Sequence, residues 1–145
     1  MEVRVIEVNT NRELNQFITF PRKLYQSDKN FVFEPVSMQK EFLSNRNAFF
    51  EHSKATYFLA KLNDKVVGRI ASINNTIHNK LYNEKTGFFG LFESIENYVV
   101  AKLLFDKVVE THLLNGFNKI IGPTNLTTND SCYFSVFTNY FFRRN

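Results

Sequence analysis

Tryptophan is absent from this 145-residue chain, and cysteine occurs once, at Cys132. A single thiol excludes an internal disulfide, and no cysteine–histidine grouping has zinc spacing, so no metal is expected. Glycine is sparse, at five residues, and proline sparser, at three, so each marks a point where the backbone is constrained. No apolar run approaches the ~20 residues of a membrane-crossing helix. The opening MEVRVIEVNT lacks the pattern of a secretory signal. These absences point to a cytoplasmic protein without a membrane partner.

What is abundant is phenylalanine, 17 residues of it, with six tyrosines in a chain that is 43% hydrophobic. That composition excludes a disordered chain, and the length is that of one domain, 1–145, able to bury a proper core. The net charge of +4 suits an anionic ligand, although a weakly basic surface more often serves solubility alone. A nucleic-acid surface would interleave aromatics with Lys and Arg on one exposed face. Here the phenylalanines sit at core-like positions and the basic residues are scattered among acids, so no nucleic-acid partner is expected.

The chain is organised around Glu84 to Gly116. An aromatic strand, Lys85–Phe92, is interrupted by Gly87 and Gly90, which hint at a bulge or at a close approach to the backbone. The polar turn Glu93–Glu96 follows, with Asn97 placed to cap a helix. From Tyr98 on, Ala101, Leu104, Phe105, Val108 and His112 recur at helical spacing, and Asn115-Gly116 ends the run. A strand feeding a helix N-terminus offers backbone N–H groups to an anion. Most such units are only architecture.

Elsewhere, Val3–Val8 alternates as a half-buried strand, and Thr10-x-x-Glu13 is a capping box opening a helix that Pro21 ends or kinks. Residues 22–26 add a turn, 27–36 are extended or looped, Val36–Leu43 is a short helix and 44–53 a loop. Ala55–Leu62 and Val66–Ile73 form a hairpin across Asn63-Asp64-Lys65. Residues 74–83 are a polar loop with a short helix. Lys119–Gly122 is a strand closed by Pro123, Thr124–Ser131 a polar loop, and 132–145 an aromatic tail. The predicted order is α+β: a mixed, mostly antiparallel sheet flanked by helices.

Several short motifs in this order carry a family resemblance. They are Phe20-Pro21, Leu24-Tyr25, Asn30-Phe31-Val32 and Pro35, Asn47–His52, Val67-Gly68-Arg69-Ile70, His78-Asn79, Lys85–Glu93, and Gly122-Pro123 through Asn129-Asp130. Together they resemble an uncharacterised bacterial group within the GNAT superfamily of N-acetyltransferases, and the match runs to about Cys132. The resemblance implies a three-layer α/β/α acyl-CoA N-acyltransferase fold. It implies that the strands at Lys85–Phe92 and Lys119–Gly122 splay around the arm of acetyl-CoA, with the pyrophosphate at the N-terminus of the long helix. It further implies direct attack of an amine, from a small molecule or a peptide, on the thioester. Relatives continue past Asn129-Asp130, so the chain reads as C-terminally short, its aromatic tail a substitute strand or a homodimer contact. The pyrophosphate turn of the superfamily is glycine-rich, whereas Glu93–Asn97 here reads ESIEN, with two carboxylates.

The candidate site follows. Glu93 stands where some relatives place a general base; the plainer reading is a carboxylate favoured by the helix dipole. Asn129 and Asp130 would orient the acceptor, or are ordinary turn residues. Phe92, Glu93, Ser94, Ile95 and Asn97 would line the cofactor mouth, or form a solvated turn. His112 is explained by packing, His52 by loop geometry, and His78 has no carboxylate partner visible from spacing; Cys132 reads as a small buried hydrophobe. Two functions remain: acetyl transfer from acetyl-CoA to an amine, or a non-catalytic ligand- or protein-binding domain of the same fold.

Overall fold

The computed structural model describes residues 2–124 and 126; Asn129, Asp130, Cys132 and the tail 132–145 lie outside the described residues. Five strands form one sheet in chain order: β1 (Val3–Glu7), β2 (Lys54–Leu62), β3 (Lys65–Asn74), β4 (Thr86–Ser94) and β5 (Lys119–Ile121). The first four pair antiparallel, and β5 lies parallel to β4. The helices are α1 (Asn11–Leu24), α2 (Val36–Phe42), α3 (Thr76–Tyr82) and α4 (Tyr98–Leu114).

Side chains alternate across a strand, so the sheet has two apolar faces, and each is covered. Phe17 and Ile18 of α1 pack with Leu59, Ala71, Ile73 and Phe88 on one face. Val100, Leu104 and Val108 of α4 pack with Phe58, Ala60, Ile70 and Phe89 on the other. The molecule is a mixed sheet between helical layers, as the motif order implied.

Local signals were read correctly at several ends. Thr10 and Glu13 form both halves of the capping box. Asn97 caps α4 by accepting from the Val99 and Val100 N–H groups. The β2–β3 hairpin is tighter than the three-residue cluster suggested. Leu62 pairs with Lys65, leaving Asn63 and Asp64 as a two-residue turn, both at positive φ.

Two readings are corrected. Of the two outcomes expected at Pro21, an end or a kink, the end is excluded: α1 continues to Leu24, within the further turn expected after the proline. Glu93 and Ser94 are strand residues rather than turn residues, because Arg69 and Gly68 of β3 pair with them.

Candidate functional site

The site is made by an irregularity in β4. Ala71 pairs with Gly90 and Arg69 with Glu93, so Ile70 alone faces two residues, Leu91 and Phe92. That is a β-bulge, and Leu91 takes the left-handed backbone (φ 52) that it requires. The consequence is a change of face. Phe88 packs toward α1 and Phe89 toward α4; strict alternation would send Leu91 toward α4, yet it packs toward α1 and Phe92 toward α4. Glu93 is thereby turned to the α1 side, half-buried. The bulge lies next to Gly90, not at a glycine.

Glu93 meets two groups there. The Tyr25 hydroxyl, just past the end of α1, donates a short hydrogen bond to Glu93 Oε2. Arg69, its cross-strand neighbour, is 7% exposed, lies over the Phe17 ring with 4.9 Å to the centroid, and donates from Nη1 to the Phe17 carbonyl at 2.8 Å. That carbonyl is free for a reason. In a helix it would accept from the N–H four residues on, but that residue is Pro21, which has none. The proline therefore leaves an acceptor inside α1 that the guanidinium fills. Burial pulls Arg69 down to about 10, opposed by the charge of Glu93, so it stays cationic at neutral pH. Burial first, then the bond to Glu93, pushes the Tyr25 phenol up to about 12, keeping it a donor.

Beside Glu93 the sheet opens. β5 pairs only with Thr86–Phe88. The chain then crosses β4 at Gly90: the Thr124 N–H donates to the Phe89 carbonyl at 2.9 Å, and a Cβ on Gly90 would lie 1.5 Å from the Thr124 oxygen. Past that point, among the described residues, Leu91–Ser94 has no strand neighbour on this side. The expected close approach at Gly90 is thus the chain's own backbone.

The turn into α4 is already well used. The Ile95 N–H donates to the Val67 carbonyl and the Asn97 N–H to the Ile95 carbonyl, while the Asn97 side chain takes the Val99 and Val100 N–H groups. Ser94 Oγ donates to the Ile95 carbonyl. A diphosphate at the helix end would have to displace the Asn97 side chain and lie near Glu96.

Two further clusters sit at the other end of β4. His112 is 1% exposed; its Nε2 lies 2.8 Å from the Phe88 carbonyl and 3.1 Å from Ser72 Oγ, tying α4 to β4 and β3. Gly87 makes the room, since a Cβ there would meet the ring at 2.3 Å. His78 does have a carboxylate partner, Glu84 at 3.0 Å, and Glu84 also accepts from Thr86 Oγ1. The bond to His78, more than any other contact, holds the Glu84 carboxyl below its usual range. This pair stands at the start of β4, away from Glu93. Among the described residues no group of three or more His, Cys, Asp or Glu could hold a metal, and no helix is long and apolar enough to cross a membrane.

Sequence reasoning found Glu93 but not its partners. Tyr25 and Arg69 entered only as parts of motifs, and Pro21 also as the residue that ends or kinks its helix. The available signal was Arg69 itself, a cation in the middle of the otherwise apolar run VVGRIASI.

No family model matches the chain. It is 32% identical over 117 residues to Protein YghO of Escherichia coli (strain K12), covering 81% of this chain and 30% of that protein. It is 30% identical over 132 residues to Bacterial ceramide synthase of Caulobacter vibrioides (strain NA1000 / CB15N), covering 89% of this chain and 34% of that protein. The chain spans about a third of the length of these curated relatives. Among solved structures, an aminoglycoside acetyltransferase from an uncultured soil metagenomic sample, in complex with sisomicin, superposes with a TM-score of 0.61 at 20% identity, covering 88% of this chain and 80% of that one. An acetyltransferase of the GNAT family from Staphylococcus aureus Mu50 gives 0.57 at 18% identity, covering 82% and 71%. The fold is that of the GNAT acetyltransferases.

Proposed function

We propose that the chain carries the centre of an N-acyltransferase site, in which an acyl group passes from a CoA thioester, acetyl-CoA in the simplest case, to an amine. The observation that carries this reading is Glu93, turned by the β4 bulge into a half-buried position beside a strand edge that has no partner among the described residues. Two likenesses support it. A ceramide is an amide of a long-chain amine, so the Caulobacter relative's name denotes N-acylation. The metagenomic neighbour is an acetyltransferase in complex with an aminoglycoside, itself an amine.

The chain's residues divide the work. Main-chain groups of Leu91–Ser94 pair with the arm's amides, and Phe92, Ser94, Ile95 and Asn97 line the mouth toward α4. When bound, the thioester supplies an activated acyl carbon. Glu93 takes a proton from the ammonium form of the amine, freeing its lone pair for attack on the acyl carbon; the C–N bond would form as the C–S bond breaks, with the second nitrogen proton leaving on the CoA thiol. Tyr25 and Arg69 fix the carboxylate in place, and that fixed geometry is worth more than the proton transfer alone.

Calorimetric titration of acetyl-CoA and of free CoA into the 145-residue chain tests the donor half. Micromolar binding, about −8 kcal/mol, is the expected result. No heat and no thermal shift at millimolar ligand would remove the enzyme reading. A binding domain without chemistry would then be favoured by the capped helix end and its flanking carboxylates.

A further inference from the structure

We infer that Tyr25 and Arg69 are positioning residues for Glu93, and that Pro21 is the device that seats Arg69 by leaving the Phe17 carbonyl without its helical partner. The inference rests on the proposed function only in naming Glu93 as the proton acceptor; the positioning itself stands on geometry.

A buried arginine needs compensation, because its charge loses water and its donors lose partners. Arg69 finds little of it in ordinary form. Among the described residues it makes no ion pair within contact distance, and its Nε is buried without a hydrogen-bond partner. It donates to the Phe17 carbonyl, and its guanidinium lies over the Phe17 ring. Such a site is costly as mere packing, and a leucine would fill it better. It makes sense as a fixed positive charge beside Glu93.

Tyr25 completes the arrangement from the opposite element. Its ring packs against Phe31, with ring centroids 4.8 Å apart and the planes tilted by 31°, and its hydroxyl reaches Glu93 Oε2. That bond takes one carboxylate oxygen and leaves Oε1, among the described residues, for the amine. The charged and titratable groups acting on this hydroxyl are Glu93 on β4, Arg69 on β3 and Asp28 in the loop after α1. A carboxylate gripped on one oxygen by a neutral donor and faced by a buried cation has one orientation. A general base that must meet an amine at hydrogen-bond distance gains from that.

The test uses the full chain with tyrosine labelled at 13Cζ, following Tyr25 ionisation by NMR in the native protein and in Glu93→Gln. Loss of the acceptor's charge is expected to lower the Tyr25 midpoint from about 12 by about one unit or more. An unmoved midpoint in a variant that keeps the native amide spectrum would overturn the pairing. A second variant, Pro21→Ala, restores the N–H that competes for the Phe17 carbonyl. The Arg69 side-chain N–H signals are expected to lose protection from exchange in it, with the helix intact; unchanged protection would overturn the role of the proline. Both readouts are independent of acyl transfer. A coupled Tyr25 in a chain that binds no CoA would sustain the positioning while removing the proposed function.

Discussion

Gly87 and His112 show how much one side chain can rest on another's absence. The His112 ring occupies the space where a Cβ on residue 87 would stand, 2.3 Å from its atoms. Gly87→Ala forces either the ring or β4 to move, and overpacking of this kind costs typically about 1–3 kcal/mol. Urea unfolding is expected to show that loss, whereas alanine at Gly116, where nothing lies within 4 Å, would cost only its positive φ. His112 also makes stability depend on pH. Burial holds its ring below the usual histidine range, opposed by the Phe88 carbonyl bond, and Nδ1 is buried with no partner among the described residues. The folded protein therefore keeps the ring neutral while the unfolded chain binds a proton near pH 6.5. The contribution is fully present above that pH and is lost as the pH falls toward the lower folded value. Denaturant midpoints measured between pH 8 and 5 should decline for the native chain and flatten in His112→Asn.

On the proposed function, helix α4 is the element on which structure and ligand would compete. Asn97 spends its side-chain oxygen on the Val99 and Val100 N–H groups, the donors that an anion at the helix end would use. Asn97→Gly should release them at a stability cost of only a few tenths of a kcal/mol, since glycine is itself a tolerable cap. Calorimetry is expected to show several-fold tighter acetyl-CoA binding in that variant with little change in melting temperature. Equal or weaker binding would show that the phosphates are held elsewhere. Helix α1 carries a different compromise. Its proline gives up one hydrogen bond of the helix ladder, and Arg69 makes the bond instead.

At the scale of the molecule, the order of strands and helices was legible because it rests on periodicity and on punctuation by Thr10, Asn97 and Gly116. Helices on the faces of the sheet followed from the order of the elements. The site was legible only in part. Glu93 could be found at the end of an aromatic strand, and Gly87 and Gly90 hinted at a bulge, but the residue that takes the left-handed backbone is Leu91, so neither the bulge's position nor the direction of Glu93 could be read. Pro21 and Arg69 lie 48 positions apart in the numbering and meet through a carbonyl belonging to neither side chain. No local pattern encodes such a meeting. Asn129 and Asp130 stand three and four positions beyond Leu126, which is buried against the α1 side of the core.

The extra residue in β4 divides that strand into two halves that are out of phase. Before Gly90 the inward and outward positions follow one parity of the numbering, and after Leu91 they follow the other. Position along the chain and direction in space are therefore separate variables in this family of sheets. A protein without the insertion would present the same carboxylate only if it carried the acid one place earlier or later. Comparison by column would score that protein as lacking the acid, and comparison by phase would score it as having one.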